Sequence, residues 1–334
     1  MTSPGALALA TRGLRKRYGS RVALAGLDLS VPTGVVYGFL GPNGAGKTTT
    51  MRLLTGLLHP DAGTIELLGQ AFGRGSRRRL FNVGALIESP SFYPYLSGRA
   101  NLRELAAAGA PVASARIEEL LELVGLRDRA RDNVSSYSLG MKQRLGIAGA
   151  LLSDPTLLLL DEPANGLDPA GIVAMRETLR HLASIGKTVF VSSHLLAEVQ
   201  VLADVVGIIA AGRLVREGSL ESLLASEAVV RVRIDRAEAE RAAAVLAAIG
   251  PAGPLPAAAG DDESADVWLA VQTAPDRAAE VNRTLAEAGI YASALEAGSD
   301  LENLFLQLTG GEPQPGSEGT FQGIVGAGNG GAGR

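Results

Sequence analysis

Residues Gly41 to Thr48 read GPNGAGKT, which matches the spacing G-x-x-x-x-G-K-[ST]. They follow the apolar run VVYGFL (35–40) and precede TTTMRLLTGLL, so the glycines stand between an expected strand and an expected helix. Glycines in that setting let successive backbone amides point into one concavity, faced by the positive end of the helix that follows. A polyphosphate suits such a cradle, formed here by Gly41, Pro42, Asn43, Gly44, Ala45 and Gly46 and extended by Thr49. Lys47 can reach the β- and γ-phosphates as a point charge, and Thr48 can offer its hydroxyl to Mg²⁺. The implied ligand is a magnesium nucleotide.

Two carboxylates and a histidine extend this chemistry. Asp161 ends the apolar run Leu157 to Leu160, where it can hold the metal through its water shell. Glu162 leaves the same strand end on the other side of the chain and is the candidate catalytic carboxylate. The plainer alternative is a helix-terminal charge meeting the macrodipole. His194 follows another expected strand, at the end where open parallel sheets place their sites. As a neutral imidazole it can hydrogen-bond the terminal phosphate and hold a water in line. The other two histidines, His59 and His181, have no such position.

The elements that must carry these residues alternate. Short apolar strands at Val35–Leu40, Leu157–Leu160, Thr188–Ser192 and Val205–Ala210, separated by helical stretches, imply a parallel sheet covered on both faces. From about 97 to 153 that rhythm breaks. Ile117, Leu120, Leu121 and Val124 fall at i, i+3, i+4 and i+7, which predicts a helical insertion. Strands return beyond 226 in VVRVRI and VWLAVQ, separated by an Ala-rich helix and a polar loop containing Asp261, Asp262 and Glu263. They imply a small α+β unit. Residues 310–334 hold 10 glycines and few large apolar side chains, the composition of a disordered tail. No internal repeat is apparent.

Composition excludes several classes. At 334 residues the chain allows two domains, and with no cysteine it has no disulfide, thiolate metal site or cysteine nucleophile. No uncharged apolar run approaches the roughly 20 residues of a membrane-spanning helix. The N-terminal stretch places its charges after its apolar residues, the reverse of a secretory signal. Up to residue 222 there are 24 basic and 19 acidic residues, against 7 and 16 beyond it, so the acidic second part cannot displace phosphate counterions. Nucleic acid is therefore not an expected partner.

Taken together, residues 7–222 resemble the ATP-binding cassette of ABC transporters. The discriminating segment is YSLGMKQRLGIA, similar to the family signature LSGGQ, with Ser138 and Gly140 retained and Leu139 and Met141 in place of a glycine and the glutamine. The resemblance implies a P-loop NTPase (RecA-like) α/β core with the ABC helical subdomain at about 88–153. The expected ATPase domain is 1–225, with the α+β unit at 226–309. It also implies ATP and Mg²⁺ as ligands, hydrolysis, and a homodimer (or a dimer with a related cassette) in which Ser138 and Gly140 complete the partner's nucleotide site. Tyr18 resembles the aromatic that stacks on adenine, with core packing as the plainer reading, and Asn165 to Asp168 (NGLD) resembles the D-loop. His194 falls at the family's switch position. Glu88 stands where the family usually has a Mg²⁺-contacting glutamine.

ESPSFYPYL (88–96) together with SLGMKQR is most similar to the bacterial subgroup that exports peptide antibiotics and lantibiotics or confers immunity to them. That implies a peripheral protein on the cytoplasmic face of the membrane, working with a permease on another chain. Phe92, Tyr93 and Tyr95 are expected to dock a cytoplasmic helix of that permease, or else to pack a hinge. Arg77 to Arg79 would face lipid headgroups or lie in a solvated loop. The alternatives are a soluble ABC ATPase with a regulatory, DNA-repair or translation role, and a binding module without turnover.

Overall fold

The computed structural model describes residues 6–75, 77–88, 90–109, 112–226, 228–255 and 266–299, together with Leu301, Leu304, Phe305 and Leu308. The expected tail at 310–334 and the acids at 261–263 lie outside these residues.

Strands β1 (Leu7–Tyr18) and β2 (Arg21–Pro32) form a hairpin, and β3 (Val36–Leu40) leads through the glycine loop into α1 (Lys47–Leu54). Next come β4 (Ala62–Leu67) and β5 (Gln70–Phe72), which join the hairpin in an antiparallel sheet of order β2-β1-β4-β5. None of its four strands is among the strands expected from the sequence. The pairing of β1 with β2 shifts register between Thr11 and Leu14, around Gly13 at φ 56°, so the inward alternation of β1 is broken halfway.

The second sheet carries the site. After β6 (Val83–Leu86), three helices follow, α2 (Gly98–Ala108), α3 (Ser114–Leu123) and α4 (Leu139–Ala150). Then come β7 (Leu157–Asp161), α5 (Pro169–Ser184), β8 (Thr188–Ser193), α6 (Leu196–Leu202), β9 (Val205–Ala210), β10 (Arg213–Ser219) and α7 (Leu220–Ser226). The order is β10-β9-β3-β8-β7-β6, parallel except for β10. Every residue of β3, β7 and β8 is buried. Leu158, Leu160, Val189 and Val191 pack with the helical layer. Their neighbours Leu157, Leu159 and Phe190 pack with α1 and the antiparallel sheet. Continuous apolar strands are thus the mark of a sheet buried on both faces.

The helical layer follows the predicted period, with Ile117, Leu120, Leu121 and Val124 all buried. Ser97 caps α2 by accepting from the Ala100 amide at 3.2 Å, which sets where the insertion begins.

The remaining elements are β11 (Ala228–Asp235), α8 (Ala239–Leu246), β12 (Ala252–Pro254), β13 (Asp266–Gln272), α9 (Ala278–Glu287) and β14 (Ala294–Ser299). They make an antiparallel sheet of order β12-β13-β11-β14, a split β-α-β arrangement. Val230, Val232 and Ile234 face α8 and α9, while Arg231 and Arg233 face away. Beyond β14 the helical residues Leu301, Leu304 and Phe305 turn back. They are buried against Leu40, Val199, Ala203, Val206 and Ile208, so the end of the expected 226–309 unit packs on the larger one.

Candidate nucleotide site

The C-terminal ends of β3, β7 and β8 bring the chemistry-bearing residues together. After Leu40 the chain turns through the glycines Gly41, Gly44 and Gly46, none of which another residue could replace without strain; Gly44 stands at φ 82°. A Cβ on Gly41 would lie 2.5 Å from the Ile209 carbonyl oxygen, and Gly46, at φ 115°, would place one 2.8 Å from that of Ala23. Gly46 is the N-cap of α1 and no side chain caps it, so the first amides of the helix stay open to a ligand. Gly41, Pro42 and Ala45 shape the loop from behind. The Ala45 amide closes on Pro42 at 3.1 Å, and its carbonyl accepts from Gly212 at 3.0 Å.

In front lies a cleft of about 550 Å³, lined by Asn43, Gly44, Gly46, Lys47, Thr48 and Thr49 and closed by Tyr18, Glu162 and His194. Tyr18 is 44% exposed at this mouth, which removes core packing as its role. Lys47 is only 6% exposed. Its Nζ donates to the Gly41 carbonyl at 2.6 Å and lies 3.3 Å from Oε1 of Glu162.

Glu162 is the hub. Its backbone is left-handed, at φ 48°, and its amide donates to the Ser192 carbonyl and hydroxyl oxygens at 3.2 and 3.0 Å. The next helix, α5, starts only at Pro169, so Glu162 is not a helix-terminal charge. Its Oε2 lies 2.7 Å from Nδ1 of His194, whose backbone amide also reaches it at 3.3 Å. An imidazole with its proton on Nδ1 would donate it to this carboxylate.

Asp161, 5% exposed, accepts a hydrogen bond from the Ser192 hydroxyl. With Glu88, Glu162, Leu139, Gln143 and Asn165 it lines a second cavity of about 340 Å³ that shares Glu162 and Asn165 with the first. Glu88 is half exposed and paired with Arg52. Ser138 and Gly140 line neither cavity. Ser138 is the N-cap of α4 and accepts from the Met141 amide at 3.2 Å. Asp168 likewise lies outside the cleft, capping α5 through the Gly171 amide. Ser192, Arg52 and Gln143 had no part in the sequence reading. Ser192 and Arg52 gave one signal, polarity in apolar runs (VFVSS and TMRLL), whereas Gln143, between Lys142 and Arg144, gave none.

The donors suit a hard cation. Thr48 supplies a hydroxyl, and Asp161 and Glu88 supply carboxylates. Among the described residues no cluster of three His, Cys, Asp or Glu side chains that could hold a metal ion forms.

A largely parallel sheet, a glycine loop opening a helix after β3, and an Asp-Glu pair at the end of β7, one strand removed from β3, define a P-loop ATPase. The family described as ABC transporter matches residues 24–165. The chain is 45% identical over 214 residues to the bacitracin transport ATP-binding protein BcrA of Enterococcus faecalis, covering 64% of this chain and 70% of that one. With the daunorubicin resistance ATP-binding protein DrrA3 of Streptomyces coeruleorubidus it shares 39% identity over 308 residues, 91% of this chain and 96% of the other. That second match is too long to stop at the ATPase core and takes in the small α+β unit. A solved ATP-binding subunit of an ABC transporter superposes with a TM-score of 0.58 at 30% identity, covering 65% of this chain and 91% of its own. The chain belongs to the ABC transporter ATP-binding family, a family of ATPases, and its function is that of an ATP-binding transport subunit rather than of a soluble repair or translation factor.

Proposed function

We propose that this protein hydrolyses magnesium ATP at the Lys47 cleft to drive a membrane permease carried on another chain. Its cargo is an antibiotic, peptide or drug-like compound, in keeping with the names of its relatives. The carrying observation is Glu162, gripped between Lys47 and His194. In the free protein Lys47 neutralises that carboxylate. Phosphates entering the cradle draw Lys47 away, and Glu162, still oriented by His194, is left facing the terminal phosphoryl group, where it holds and deprotonates the attacking water. Mg²⁺, held by Thr48, Asp161 and Glu88, would neutralise charge on the β- and γ-oxygens. Tyr18 stacks on the base at the cleft mouth.

Ser138 and Gly140 stand on the surface at the start of α4, available to a second copy's nucleotide, so two cassettes would sandwich two ATP molecules. Tyr93 and Tyr95, 53% and 68% exposed with ring centroids 5.9 Å apart, offer the permease an aromatic dock. Phe92 packs into the helical layer and anchors that segment, so docking and hinge roles coexist. The described residues contain no helix long and apolar enough to cross a membrane, and binding to the permease would hold the protein at the cytoplasmic face.

Phosphate release and nucleotide binding by the purified chain test this reading. K47A is expected to lose ATP binding by at least about tenfold, as a buried cation in the cradle is removed. E162Q should bind ATP as the parent does and release phosphate at less than about a hundredth of its rate. Parent-rate hydrolysis by E162Q overturns the assignment.

A further inference from the structure

Arg52 stands where several negative groups meet. It lies in the last turn of α1, lines the nucleotide cleft, and donates from Nη2 to Oε1 of Glu88. That hydrogen bond holds its guanidinium above the ordinary value, and the charges of Glu88 and Asp161 add to the effect. Glu88 follows β6 in a left-handed backbone conformation, φ 66°, and shares the second cavity with Asp161 and Glu162. Three carboxylates thus converge beside the space where phosphates would lie, and like charges so placed repel unless cations stand among them. Lys47 is paired with Glu162, which leaves Arg52 to Glu88.

We propose that Arg52 is the positioning residue that makes an acid at 88 workable, and that it competes with Mg²⁺ for the Glu88 carboxylate, so that their ion pair sets how much Mg²⁺ is needed to hold nucleotide. This rests on the nucleotide reading above. With Arg52 in place, Glu88 is drawn to α1. A divalent ion near Asp161 offers it a stronger partner, and the exchange costs the ion pair. Both side chains are substantially exposed, so the pair is a modest one and its effect is graded.

The test uses the full chain and a fluorescent, non-hydrolysable ATP analogue, with Mg²⁺ titrated at fixed analogue. Binding gives a Mg²⁺ midpoint for the parent, R52M, R52K, E88Q and the double variant R52M/E88Q. R52M should lower the midpoint about two- to fivefold, the range of an exposed ion pair. R52K, which keeps the charge, should stay within about twofold of the parent. In the E88Q background the R52M shift should shrink to less than about 1.5-fold, because the competition is gone. Equal shifts in both backgrounds would mean that Arg52 merely repels the ion, and no shift would mean that Glu88 never leaves it. Either result overturns the proposal while leaving the nucleotide site intact. Failure of the parent to hold the analogue at any Mg²⁺ concentration would overturn the site itself.

Discussion

Glu162 carries its carboxylate on a backbone conformation that L-residues adopt at a cost of about 1–3 kcal/mol. Ser192 offsets that cost. Fully buried, it donates to Asp161 and accepts from the Glu162 amide, so one hydroxyl sets both acids. S192A should destabilise the protein by about 1–3 kcal/mol, the cost of buried polar groups left without a partner. Turnover should fall well below that of the parent while ATP affinity stays within about threefold, since no atom of Ser192 faces the cleft. Chemical denaturation and phosphate release check the two halves separately. Lys47, Asp161, Glu162 and His194 were legible in the sequence because each follows an apolar run or a glycine loop and so declares its place. Ser192 was not, because its role exists only once β7 and β8 align Asp161 opposite it. Arg52 likewise takes its meaning from a chain segment far from it in sequence.

At the scale of elements, α4 shows how one residue serves two purposes. Ser138 caps the helix, and the proposed dimer asks the same hydroxyl to meet a partner's phosphate. Substitution can part the two. S138A should cost about 1 kcal/mol of stability through the lost cap. S138D keeps the cap, so its melting should match the parent, yet its charge opposes phosphate and ATP-driven dimerisation should fail in light scattering. An S138D protein that dimerises normally would confine Ser138 to capping. The parallel strands and the insertion were readable because each keeps one period along its length. The β1-β2 hairpin was not, because the bulge at Gly13 switches the inward face midway, and no single alternation runs through LALATRGLRKRY.

At the scale of the whole molecule, Leu301, Leu304 and Phe305 seal the sheet beneath β3 and β9 and press on α6, the helix that follows His194. F305A should lower stability by about 3–5 kcal/mol and L304A by about 2–5 kcal/mol, the usual cost of emptying a buried apolar site. The loss should appear in the unfolding of the ATPase core, read by nucleotide-protected melting, as well as in that of the small α+β unit. Unfolding of the core unchanged by either substitution would show that these side chains stabilise only their own segment.

Their position also bears on the order in which the polypeptide becomes protected during translation. Leu40, Val199, Ala203, Val206 and Ile208 leave the ribosome well before the residues that cover them. The nascent cassette therefore carries a greasy patch, covered only in part by Leu220, Leu223 and Leu224 of α7, for the time needed to make the α+β unit, at about 5–20 residues per second. Chaperone demand should peak in that interval, and a stop codon placed before Leu301 would make the exposure permanent.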